Sequence, residues 1–123
     1  MRVEHVNNLE DARKRLNMAG LVAESFRRDP CAAIRRFPAS RIRQAVEDAY
    51  AVFLYVCPIF ARHSDPLHPE ATPELELAAG YMPVLIRAMQ DHPDADESSV
   101  CTAQIYGTAV ELMLDNMDLK LSA

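Results

Sequence analysis

Four side chains that bind transition metals, His63, Asp65, His68 and Glu70, fall within the eight residues HSDPLHPE. Imidazole and carboxylate suit zinc or nickel. Pro66 and Pro69 make the same stretch a polar connection, however, whereas an ordered metal site holds its ligands on a regular frame with supporting partners. His92 cannot complete the set: an unbroken helix from Pro73 to Asp91 would place it about 27 Å away. The stretch therefore reads as a loop, and no metal or other cofactor is expected.

Nucleophilic chemistry finds no better footing. Ser25, Ser40, Ser64, Ser98, Ser99 and Ser122 fall at caps, in loops or on exposed helix positions, none at a strand-to-helix elbow. Gly20, Gly80 and Gly107 are the only glycines, too scattered to cradle a phosphate. Cys57 and Cys101 stand among apolar neighbours, where a thiol is inert, while Cys31 follows Pro30 in a first helical turn, where the helix dipole favours a thiolate. Core packing is the expected role of all three. The acids Glu74, Glu76, Asp94, Asp96 and Glu97 occupy cap and first-turn positions, so they serve helix ends and not an acid–base pair. No enzyme is expected.

A ligand pocket is a further alternative. Pro58 and Pro83 would bend two helices; at one depth, Phe53, Tyr55, Cys57, Tyr81 and Met82 would line an apolar cavity with the carbonyls of Leu54 and Ala79 left free. A small hydrophobic molecule would suit it. Close packing of the same side chains is the plainer expectation.

The elements that would position these groups are helices. A first helix starts at an Asn7 or Asn8 cap and runs toward Arg28, with Leu9, Ala12, Leu16, Ala19, Val22 or Ala23, and Phe26 as its buried stripe. A short helix over Asp29–Phe37 follows, Asp29 capping and Pro30 in the first helical position, with Ile34 and Phe37 turned inward. Ser40 caps a second long helix that begins amphipathic with Ile42, Ala45, Val46 and Ala49. From Ala49 to Ala61 that helix is uncharged for 13 residues and holds Tyr50, Phe53, Tyr55 and Phe60. A bilayer span needs about 20 residues, so this is core or interface and not a membrane segment. Thr72-Pro73-Glu74 opens a third long helix with Leu75, Ala78, Met82, Leu85 or Ile86, and Met89 inward, ended by His92-Pro93. Asp94 or Asp96 caps the last. The fold expected is all-α: an irregular four-helix bundle with one extra short helix, proline kinks in the second and third long helices, and one domain over residues 1–123.

Half of the 123 residues are apolar and a quarter charged, the composition of a globular protein. Three cysteines, odd in number and far apart, point away from a disulfide framework and toward the reducing cytoplasm. Residues 1–8 have no apolar run of secretory length, so no leader is expected. Charge divides unevenly: 11 Lys or Arg against 7 Asp or Glu through Arg62, then 2 against 11. Such asymmetry marks a basic surface, an acidic one, or two halves that face each other. Arg13, Lys14, Arg15, Arg27, Arg28, Arg35, Arg36, Arg41 and Arg43 form the basic part, and a nucleic-acid-binding domain using segment 13–43 is the alternative they raise. No helix-turn-helix pattern accompanies them, and solvated helix faces are the plainer account of them.

The last helix carries the most information. Val100, Ala103, Gly107, Val110, Leu114, Met117 and Leu121 make one apolar stripe at three- and four-residue steps; Ile105, Leu112 and Leu119, seven apart, fall roughly opposite. One core needs one face. Either the rest of the chain wraps this helix or another protein covers it. The expected function is therefore a small protein–protein interaction module, a regulator, inhibitor or adaptor, whose partners are a second copy of itself and an unidentified protein. The residues expected at the interface are Ile105, Leu112, Leu119, Val100, Gly107, Val110 and Leu114, with Phe53, Tyr55 and Phe60 of the uncharged segment as a second surface.

Overall fold

The computed structural model describes residues 3–62 and 72–122, the side chains of 60–62, 72 and 116–122 excepted. It is all-helical: α1 (Leu9–Arg28), α2 (Pro30–Arg36), α3 (Ala39–Arg62), α4 (Thr72–Asp91) and α5 (Glu97–Ser122). The HSDPLHPE stretch lies outside the described residues.

Local chemistry sets the helix ends. Asn8 Oδ1 accepts from the Asp11 N–H at 2.8 Å, Asp29 Oδ1 from Ala32 at 3.2 Å, and Asp96 Oδ1 from Ser99 at 2.6 Å, so each caps the helix that follows. Ser40 does not cap α3. That helix starts one residue earlier, with the Pro38 carbonyl accepting the Arg41 and Ile42 N–H groups, and Ser40 lies in its first turn. Pro58 and Pro83 both sit inside helices that continue past them. Pro83 deprives the Ala79 carbonyl of its partner, and Arg27 Nη2 donates to the neighbouring Gly80 carbonyl at 2.9 Å from across the helix seam.

α3 and α4 form the centre and share the largest interface; each also packs against α1 and against α5. α1 and α5 lie apart, with no substantial contact between them among the described residues. Arg13 on α1 reaches Glu74 on α4 and Tyr81 covers Gly20, so these two helices run in the same direction. Likewise Tyr50 on α3 stacks on Tyr106 of α5, and Arg43 acts on Asp96 at the start of α5, so that pair is also parallel.

The core is one cluster in which Phe53, Ile42, Met82, Leu85 and Met89 are the largest fully buried side chains. The expected stripes of the first and third long helices are the buried ones from Ala12 and Leu75 onward, while Leu9 at the start of α1 is only half-buried. Two expectations for the uncharged part of α3 need correction. Phe53 has no exposed surface and cannot belong to a docking face, because the helix turns Ala49, Val52, Phe53 and Val56 together into the core. Tyr55 is half-buried, and the extended residues 3–6 lie along that side of α3, lining one cleft with Ala51, Leu54 and Tyr55. Arg15 fixes this strap by donating to the carbonyls of Glu4 at 2.7 Å and His5 at 3.2 Å. The chain itself thus covers part of the apolar surface expected to need a partner. The side chain of Phe60 falls outside the described residues.

Candidate protein interaction site

α5 settles which of its two stripes is internal. Ala103, Tyr106 and Val110 are buried, and Val100, Gly107 and Leu114 are half-buried beside them. Val100, Ala103, Gly107, Val110 and Leu114 are therefore internal seam and not outer interface, since α3 and α4 already fill that side. Gly107 is small because Ile86 is close: a Cβ at position 107 would stand 3.0 Å from Ile86 Cδ1. On the other side, Ile105 is 66% exposed and Leu112 is 59% exposed, two turns apart with Cys101, Thr108 and Asp115 on the same outward line. Leu119 continues the spacing, and its side chain lies outside the described residues.

Cys101 and Cys31 are exposed and Cys57 is half-buried, so core packing is not the role of the first two. Their sequence neighbours are apolar, yet at about 100° per residue those neighbours point elsewhere.

A second group of exposed apolar residues lies on α1, away from α5. Leu21 is 63% exposed and Met18 is 42% exposed, one turn apart. They line a cleft of about 580 Å³ with Asn17, Gly20, Glu24, Ser25, Arg28, Arg36 and Tyr81. Tyr81 reaches across from α4 into the space left by Gly20, where a Cβ would stand 2.9 Å from its hydroxyl. The Arg27 guanidinium lies 5.5 Å from the Tyr81 ring centroid and pairs with Glu24, which holds the ring in place.

Four of the five residues proposed for a ligand pocket at the proline bends fall in different places. Phe53 is sealed in the core, Tyr55 lines the cleft under residues 3–6, Tyr81 lines the α1 cleft, and Met82 lines a cleft between α4 and α5. Tyr81 and Met82 are consecutive on α4 and cannot face the same way, because adjacent helical positions point about 100° apart.

The arginines are tied to local duties that point in several directions. Arg13 donates through Nε to Glu74 Oε1 at 2.7 Å, Arg15 holds residues 4 and 5, Arg27 serves Gly80, Arg36 stacks on Phe37, and Arg43 lies 3.6 Å from Glu47. Arg27, Arg28, Arg35 and Arg36 also stand in the last turns of α1 and α2, where cations complement the helix dipole. His92 is buried; its Nδ1 accepts from the Asp94 N–H at 3.1 Å, which leaves Nε2 as the donor to the Phe37 carbonyl at 3.0 Å. It therefore pins the end of α2 to the turn between α4 and α5.

Among the described residues four groups are shifted clearly from their ordinary ranges. Burial raises Glu47, with Arg43 opposing; burial raises Asp48, with the Gln44 hydrogen bond opposing; burial and then the Glu47 charge raise Tyr106. Asp96 is lowered, first by the backbone N–H of Ser99 that it caps. Between the ordinary carboxyl range and the raised value, the folded chain holds more protons at Asp48 than the unfolded chain, so this group subtracts stability as pH rises through that window. Asp48→Asn keeps the acceptor for Gln44 and removes the charge. It should raise the unfolding free energy at about pH 7 by no more than about 1 kcal/mol, read as a higher melting midpoint, because the half-buried carboxylate is partly solvent-screened. The advantage should vanish in melts run below the ordinary carboxyl range.

No protein family model, curated protein or solved structure matches the chain. Among the described residues no helix is long and apolar enough to cross a membrane, and no group of three or more His, Cys, Asp or Glu stands in position to hold a metal ion.

Proposed function

We propose that this protein works by docking: the outward face of α5 covers a surface on another protein, as a small regulator, inhibitor or adaptor, and its first partner is a second copy of the chain. The supporting observation is the exposure of Ile105 and Leu112 on a helix whose opposite face already seals the core. A core helix is stabilised by one apolar stripe, and a second gains nothing until something buries it. The reading is of a binder and not of a catalyst. Two exposed thiols, Cys31 and Cys101, suit a reducing compartment such as the cytoplasm.

Leu112→Glu tests it. Leu112 is mostly in water, so the substitution should leave the helical circular dichroism and the melting midpoint nearly unchanged. Light scattering should show the wild-type chain associated in the micromolar range and the variant monomeric, since a buried, unpaired carboxylate costs several kcal/mol. A wild-type chain that stays monomeric, or a variant that associates equally well, would refute the proposal.

A further inference from the structure

We propose that the surface covered by α5 is the α1 cleft of a second copy, so that copies join head to tail. This rests on the docking role of α5 and names what α5 docks into. The two surfaces hold four of the five large, clearly exposed apolar side chains among the described residues: Ile105 and Leu112 on α5, Met18 and Leu21 on α1. One is a ridge, the outer line of a helix, and the other a cleft of about 580 Å³ with Tyr81 in its wall.

Their charges are opposite. Glu111 and Asp115 stand exposed beside Leu112, and residues 100–115 contain no Lys or Arg. The cleft contributes Arg28 and Arg36, and its one acid, Glu24, is paired with Arg27. Ion pairs of Glu111 and Asp115 with Arg28 and Arg36 would then flank the apolar contact, the arrangement in which rim charges fix register and partner. Symmetric pairing of α5 with α5 through residues 100–115 would instead bring together carboxylates from both copies along a stretch that holds no cation.

Closure within one copy does not fit the fold, because among the described residues α1 and α5 make no substantial contact and each packs on α3 and α4. The occupant must come from another copy. A contact between two different patches leaves a free α5 at one end and a free cleft at the other, so it extends with concentration unless the rotation closes a ring. The dimer is thus the first member of a series.

Two blocked variants decide the matter. Leu112→Glu disables the ridge and Leu21→Glu disables the cleft; both residues are mostly exposed, so both variants should fold, and Arg28→Glu provides a second block of the cleft that touches no apolar residue. Each variant alone should be monomeric by light scattering. An equimolar mixture of Leu112→Glu with Leu21→Glu, or with Arg28→Glu, should form a one-to-one dimer and nothing larger, because the mixture holds one intact ridge and one intact cleft, and added salt should weaken it. If both cleft variants associate like wild type while Leu112→Glu is monomeric, α5 docks elsewhere: the head-to-tail proposal falls and the docking role of α5 stands. A mixture that stays monomeric also overturns head-to-tail joining. If Leu112→Glu still associates, both fall.

Discussion

Phe53→Ala is expected to cost about 3–5 kcal/mol, the usual range for truncating a fully buried phenylalanine. Phe53 is the largest side chain with no exposed surface and lies on α3, one of the two central helices. Removing its ring leaves a cavity between helices that are held apart by their other contacts, so collapse to fill it is incomplete. Since small domains are stable by about 5–15 kcal/mol, the variant loses a large share of its margin. Guanidinium titration followed by circular dichroism should show a much lower midpoint with a similar slope. The contrast with Leu112→Glu is the useful part. One substitution destroys stability and the other association, which separates core from docking face in a single pair of measurements.

The second large effect is expected at Arg13. Glu74 lies in the first turn of α4 with its side chain 7% exposed, and its Oε2 has no hydrogen-bond partner. Oε1 depends on Arg13, whose own side chain is 55% exposed. Arg13→Ala leaves a nearly buried carboxylate without that cation. Complete burial of both partners would make the loss about 3–5 kcal/mol; with Arg13 half in water about 2 kcal/mol is expected. Adding Glu74→Met should recover part of it, because an apolar side chain of similar volume needs no counter-charge. Denaturant midpoints of the two single variants and the double variant supply the cycle. If the double variant is as unstable as the sum of the singles, the two residues act independently and the ion pair is not what holds α1 to α4.

Much of this architecture was legible in the chain. Caps at Asn8, Asp29 and Asp96 and the opening Thr72-Pro73-Glu74 mark four helix starts because side-chain oxygens and proline act within three or four residues. Ser40 misled because the Pro38 carbonyl begins that helix earlier. The double-faced character of the last helix was visible too, though not which face turned inward: that depended on Tyr106 stacking on Tyr50 at a 4.4 Å centroid separation, a contact between residues 56 apart. Tyr106 falls beside Ala103 and Val110 at helical spacing, so it belonged to the inner stripe from the start. The α1 cleft escaped notice although Met18 and Leu21, large and outside the buried stripe of their helix, were its signal. Cys31 and Cys101 show the opposite failure, where apolar neighbours in sequence were taken for neighbours in space.

Among the described residues α5 packs substantially on α3 and α4 only, and Ile105 and Leu112 on its outer line stand mostly in solvent. Segments with fewer supporting contacts detach at lower free energy than the whole chain unfolds. Its backbone amides should therefore trade protons for deuterons sooner than those of α3 or α4, and the helix that meets a partner is the same one that most readily lifts away.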